Sequence, residues 1–167
     1  MQVNTNITKQ LNYLSGNRAV MQIASLPDTS FNIKNFQIPT MTLPSADHSS
    51  PYFERPEVGD KITYEALDVE FIVLEDISNW LQAYSWVNYI GSPRERKQEY
   101  AKTPFIYSDA TVTVYSSHNN PLVRVKFIEC VPVALGGIQF NEEIMETSTV
   151  TSYLTMEYLR YDIEIVK

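Results

Sequence analysis

One cysteine, Cys130, and two histidines, His48 and His118, are all that the sequence offers of the side chains that most often form disulfides or hold transition metals. A single thiol excludes an internal disulfide and fits a chain made in a reducing compartment. Two isolated histidines and one cysteine have no metal-ligand spacing. Basic residues are in deficit, thirteen Lys and Arg against twenty Asp and Glu, which leaves a formal net charge of −7 over 167 residues. A general nucleic-acid clamp needs a basic face, and that balance supplies none. Long apolar runs are missing too, residues 71–74 being typical and far too short to span a bilayer. Residues 1–7 are polar and lack the basic and apolar regions of a signal peptide. Gly136-Gly137 has neither the spacing nor the following helix of a phosphate-binding loop. No repeat, low-complexity tract or domain boundary is visible.

What the chain does have is aromatic and β-branched: eleven Tyr and seven Phe with many Val, Ile and Thr favour strands, and nine prolines suit edges and loops. Residues 1–16 read as a polar N-terminal arm, and 17–167 as one domain. Strands are expected at 18–26 and 32–43, the second with imperfect alternation. Residues 44–60 form a long polar segment whose prolines and Gly59-Asp60 argue against a central strand. Tyr52 and Phe53 sit within it with nothing local to pack on, so it reads equally as a hairpin tip or as a segment ordered by a partner. Residues 61–74 alternate clearly, Leu67, Val69, Phe71 and Val73 against Asp68, Glu70, Ile72 and Leu74.

Residues 76–90 are the one convincing helix, with Ile77, Trp80, Leu81, Tyr84, Val87 and Asn88 on one face, Asp76 or Ser78 as cap, and Gly91 and Pro93 as stops. Trp80 and Trp86 lie six positions apart and cannot share one stripe. Trp80 is therefore expected on the sheet and Trp86 under a neighbouring chain. A charged loop spans 91–107. Strands are expected again at 110–116, at 122–131 after the turn at 117–121, in a short element at 138–140, and at 150–166 with a bulge near Leu159-Arg160. The fold class is mainly β: an antiparallel sandwich or barrel with one flanking amphipathic helix.

Chemistry finds little purchase here. Asp47, His48 and Ser49 have the residue types of a triad, but neighbours in an extended segment point apart. His118 reads as a solvated turn residue and Cys130 as a small buried thiol in a strand. The acidic pairs Glu75-Asp76, Glu142-Glu143 and Asp162 with Glu164 read as solvated faces. No enzymatic role and no cofactor are expected.

The order of segments says more. Ile38-Pro39-Thr40-Met41-Thr42-Leu43-Pro44 leads into the long loop. Gly59-Asp60-Lys61-Ile62-Thr63-Tyr64-Glu65-Ala66-Leu67 and Asp68-Val69-Glu70-Phe71-Ile72-Val73-Leu74 follow, and then the helix with Asn79-Trp80 and Trp86. Ser108-Asp109-Ala110-Thr111-Val112, Phe127-Ile128-Glu129-Cys130-Val131-Pro132, Ile138-Gln139-Phe140, Leu154-Thr155-Met156-Glu157-Tyr158 and Tyr161-Asp162-Ile163-Glu164 complete the set. This arrangement resembles the tail tube proteins of contractile-tailed bacteriophages over residues 18–166. The resemblance implies a virion structural protein, made in the host cytoplasm, forming hexameric rings that stack into a hollow tube for DNA ejection. Its partners would be further copies of itself and the sheath, tape-measure and baseplate proteins, with DNA passing unbound and no membrane contact. Residues 44–60 would be the inter-ring hairpin, with Tyr52 and Phe53 as anchors, Glu54, Arg55 and Glu57 as polar rim, and Asp47 and His48 in the same contact. Residues 162–167, with Asp162 and Glu164, would contact a neighbouring subunit, as would the arm. A lumen of negative charge repels phosphate, and Asp68, Glu70 and Glu157 are candidates to line it. Arg124 and Lys126 share a strand face and would pair with those acids or face outside.

Three further readings stand beside this one. The first is a minor tube-like protein that starts or ends the tube, and the second a secretion-system tube protein. The third is a carbohydrate-binding β-sandwich using Trp86, Tyr52 and Tyr89 as stacking platforms.

Overall fold

A computed structural model describes residues 18–27, 29–49, 54–92, 106–140 and 149–166, with the backbone alone at 46–49 and 54–56. The arm at 1–16 and the anchors Tyr52 and Phe53 lie outside the described residues, as do the side chains of Asp47, His48, Glu54 and Arg55. The strands are β1 (Arg18–Ile23), β2 (Ser30–Phe36), β3 (Met41–Thr42), β4 (Ser45–Ser49), β5 (Glu54–Val58), β6 (Thr63–Tyr64) and β7 (Leu67–Ile72), followed by helix α1 (Ser78–Gly91). Then come β8 (Ser108–Tyr115), β9 (Pro121–Leu135), β10 (Thr151–Glu157) and β11 (Arg160–Ile165).

Six strands run β10-β7-β2-β1-β8-β9, every neighbour antiparallel, and β9 pairs with β10 to close the sheet into a barrel. Alternation fills it. Met21, Ile23, Phe31, Leu67, Val69, Phe71, Ala110, Val112, Val125, Phe127, Leu154 and Met156 are buried inside, while their neighbours in sequence face out. The imperfect pattern of β2 has a local cause: its register against β7 shifts between Ile33 and Asn35, so Lys34 is the extra residue and Phe36 returns to the inner side.

The fifteen-residue β9 serves two partners on one edge. Its first half, Val123 to Ile128, pairs with β11, and its second half, from Val131, pairs with β10. Glu129 stands between them with φ 54°, a left-handed conformation that bends the strand. Asp109 steadies the bend, accepting from the Glu129 N–H at 3.2 Å and pairing with Lys126 Nζ at 3.0 Å. The single strand expected at 150–166 is therefore two strands meeting at a corner, and the bulge expected near Leu159-Arg160 is that corner, held by Leu159 N–H donating to Ile128 O at 3.0 Å. Residues 138–140, expected to form a short element, carry no strand.

The helix buries a different face from the one expected. Asn79, Ala83 and Trp86 are buried, whereas Leu81 and Tyr84 are exposed. Trp86 is 2% exposed and belongs to this chain's own core, which corrects its assignment to a neighbouring subunit. No free surface is left on it for a partner to cover. Trp80 stacks on Tyr84 and donates its indole N–H to Gly136 O at 2.9 Å, while Thr29 Oγ1 donates to Gln82 Oε1. Ile77 occupies the N-cap position with φ 58° and makes no side-chain bond, so the expected cap Asp76 acts from one position further out and Ser78 is the first helical residue. Asp76 Oδ1 accepts from the Ser78 N–H and hydroxyl.

Candidate assembly surfaces

Three outer surfaces hold the residues singled out by the sequence. The first is the two-stranded ribbon between β2 and β7. Residues 44–60, expected as a hairpin tip or a segment ordered by a partner, contain β4 and β5 paired as a hairpin from Ser45↔Val58 to Ser49↔Glu54, a sheet separate from the barrel. Pro56 is tolerated because each strand of a two-stranded ribbon has an open edge. Gly59 closes its base, donating its N–H to Pro44 O at 2.7 Å, and a Cβ there would lie 2.6 Å from that oxygen. Below it, β3 and β6 pair Met41↔Tyr64 and Thr42↔Thr63. The ribbon exposes apolar side chains: Val58 at 72%, Met41 at 55%, and Leu43 and Ile62. An isolated ribbon of this kind is marginal by itself, and clustered exposed apolar groups mark a contact surface. Glu57 is exposed among them. The sequence points to Tyr52 and Phe53 as anchors and does not single out Met41, Leu43, Val58 or Ile62. The same signal, apolar residues with nothing local to pack on, was present at each.

The second surface is β11. It pairs with β9 on one side, and its other edge has no strand partner among the described residues. Asp162 and Glu164 lie exposed directly across from Lys126 and Arg124, and Ile163 and Ile165 are exposed on the opposite face. An open edge with exposed isoleucines is a template for another strand.

The third surface is the outer face of β7 and β10, where the fold brings Asp68, Glu70 and Glu157 together. Asp68 sits across from Thr155 and accepts its hydroxyl at 2.6 Å, and Glu157 is two residues further along β10. Glu70 accepts from Lys34 Nζ at 3.1 Å and Thr151 Oγ1 at 2.9 Å, contacts that hold its carboxyl below the usual range. Lys34, which the sequence does not single out, is a cation on this face, paired with Glu70. Arg124 and Lys126 instead face outward on β9, where Lys126 pairs with Asp109 and neither meets Asp68, Glu70 or Glu157.

The reactive side chains are placed quietly. Burial pushes the Cys130 thiol up to about 12, so it stays protonated and inert. His118 lies exposed in the β8–β9 turn, its Nδ1 3.2 Å from Ser117 Oγ. Among the described residues no three of His, Cys, Asp and Glu gather in a metal-holding group. No described helix is long and apolar enough to cross a membrane.

No protein-family model matches the sequence, and no curated protein matches it. Solved structures do resemble the fold. A chain of the PVC extracellular contractile injection system, in its sheath–tube complex in the extended state, aligns with TM-score 0.64 at 9% identity over 99% of this chain and 100% of that one. A chain of the anti-feeding prophage tube-terminating cap aligns with TM-score 0.63 at 12% identity over 99% and 100%. Hcp1 from Salmonella typhimurium aligns with TM-score 0.56 at 9% identity over 89% and 86%. At such identities the likeness is one of fold, and the fold of this chain, a closed antiparallel barrel with one helix, is that of the contractile tail tube and Hcp proteins.

Proposed function

We propose that this chain is a structural tube subunit of a contractile tail or injection machine, one that catalyses no reaction. The observation that carries the reading is the end-to-end correspondence, over 99% of this chain, with a chain of a contractile sheath–tube complex. Two features of the chain support it. The open β11 edge is completed by a neighbour around a ring, and the apolar ribbon is covered by a neighbour along a stack. Six copies make a ring, the rings stack around a lumen, and sheath and baseplate proteins bind the outside and end of the tube. As a phage tail tube it would stand in the virion, surround a tape-measure protein and pass DNA without binding it. The acidic face of β7 and β10 and the net charge of −7 suit that passage.

A second reading, a tube-like ring at one end of the tube, is favoured by the nearly equal match to the anti-feeding prophage cap. The glycan-binding reading loses one of its three aromatic platforms, because Trp86 is buried.

Native mass measured over a dilution series tests the proposal. A tube subunit gives six-copy rings of the 19.2 kDa chain that pass into higher stacks as concentration rises. A terminal ring stays at six copies at every concentration. A monomer throughout contradicts both.

A further inference from the structure

The ribbon leaves the barrel through two short links, residues 37–40 between β2 and β3 and residues 65–66 between β6 and β7. A phenol grips each link. Tyr158, at the corner between β10 and β11, donates its hydroxyl to Glu65 O at 2.9 Å. Tyr161, on β11, donates to Pro39 O at 3.3 Å, and Pro39 is buried. The links are also tied to each other by Glu65 N–H donating to Thr40 O at 3.1 Å. The rings behind those hydroxyls form one aromatic cluster that joins ribbon and barrel. Phe127, from the barrel core, meets Tyr158 at 5.0 Å and Tyr161 at 5.8 Å. Tyr64, the last residue of β6, meets Tyr161 edge-on at 5.5 Å and Tyr158 at 5.9 Å.

We propose that Tyr158 and Tyr161 form a two-point clamp that sets the angle of the ribbon to the barrel in the free subunit. Four residue pairs in all root and close the ribbon between β2 and the hairpin: the two of β3 with β6, Gly59 with Pro44, and Glu65 with Thr40. Every one of these joins one leg of the ribbon to the other, and none fixes the pair of legs to the barrel. The phenols do that, because both donors stand on the β10–β11 segment while both acceptors stand on the links. Burial, helped by the neighbouring Tyr161 and Tyr64 phenols, pushes the Tyr158 hydroxyl up to about 12, so it remains a donor at every ordinary pH. The clamp belongs to the single chain and does not depend on the tube reading. What it provides is a hairpin already aimed when a partner arrives, which lowers the ordering cost of contact.

The test is the double variant Tyr158→Phe, Tyr161→Phe, which removes both hydroxyls and leaves the rings packed. Spin labels on Val58→Cys in the ribbon and Gln22→Cys on β1, both exposed positions, report the ribbon-to-barrel distance in dilute solution, and the buried Cys130 takes no label. The expected result is a distance distribution about twofold broader in the double variant than in the parent, with an unchanged distribution between two labels on the barrel, Gln22→Cys and Val133→Cys. An unchanged ribbon-to-barrel distribution would overturn the clamp. Equal broadening within the barrel would overturn it as well, since the phenols would then serve the barrel as a whole. Single Tyr158→Phe and Tyr161→Phe variants, each with a smaller broadening, would confirm that both points hold.

Discussion

Asn79 is a wholly buried amide with every group occupied: its Oδ1 accepts from Leu74 N–H at 3.2 Å and Trp80 N–H at 2.9 Å, and its Nδ2 donates to Ile72 O at 2.9 Å. It therefore ties the end of β7 to the first turn of α1. A search for an apolar stripe passes over such a residue, and that is why the buried helix face was misphased. Ala83 is small and Asn79 polar, so the true face carries fewer hydrophobic letters than the exposed one. Asp109 acts similarly at the bend in β9. Lys126 first, and the Glu129 N–H second, hold its carboxyl below the ordinary value of 3.8. A folded-state value lowered in this way contributes stability that is fully present above 3.8 and is lost as pH falls through the folded value. The site is partly solvated, so the contribution is on the order of 1 kcal/mol at most. Asp109→Asn is expected to lower stability at neutral pH by that amount and to flatten the acid limb of the stability–pH curve. Chemical denaturation repeated from pH 7 to pH 2 checks it, and an unchanged acid limb would contradict the role.

At the scale of elements, strands with strict alternation were legible because one face of each is buried: β7, β8 and the first half of β9 lie where the sequence puts them. The missed features share a cause, which is backbone geometry without a side-chain period. Glu129 turns β9 with an ordinary residue, and Pro132 continues the same strand, opposite Met156 where the register of β10 shifts. The pairing of β4 with β5 shows no alternating pattern in the sequence, and the hairpin is signalled there by the prolines, Gly59-Asp60 and the resemblance. Substitution at Gly59 is informative. Gly59→Ala places a methyl against Pro44 O, and the ribbon is expected to open at its base, costing it about 1–2 kcal/mol. Proteolysis within residues 45–58 should speed up about tenfold while the thermal midpoint of the barrel moves little. Equal cutting rates for variant and parent would show that the base is not what holds the hairpin.

At the scale of the molecule, closing six strands into a barrel leaves β11 as the open edge of the main sheet among the described residues, with the ribbon standing outside. Among the described residues, these are two places where a strand edge and apolar side chains are left uncovered. Sequence order alone leads to the same fold class, while the candidate contact surfaces are only partly legible. Tyr52 and Phe53 lie outside the described residues, Trp86 belongs to the core, and the exposed apolar groups of the ribbon and of β11 emerge only once strands are paired. That neighbouring subunits cover those two surfaces, one around a ring and the other along a stack, is the central claim. Electron microscopy of the purified protein over a concentration series tests it most directly. The account expects hollow six-fold rings that stack into tubes as concentration rises. Particles that stay single subunits at the highest concentration would contradict it.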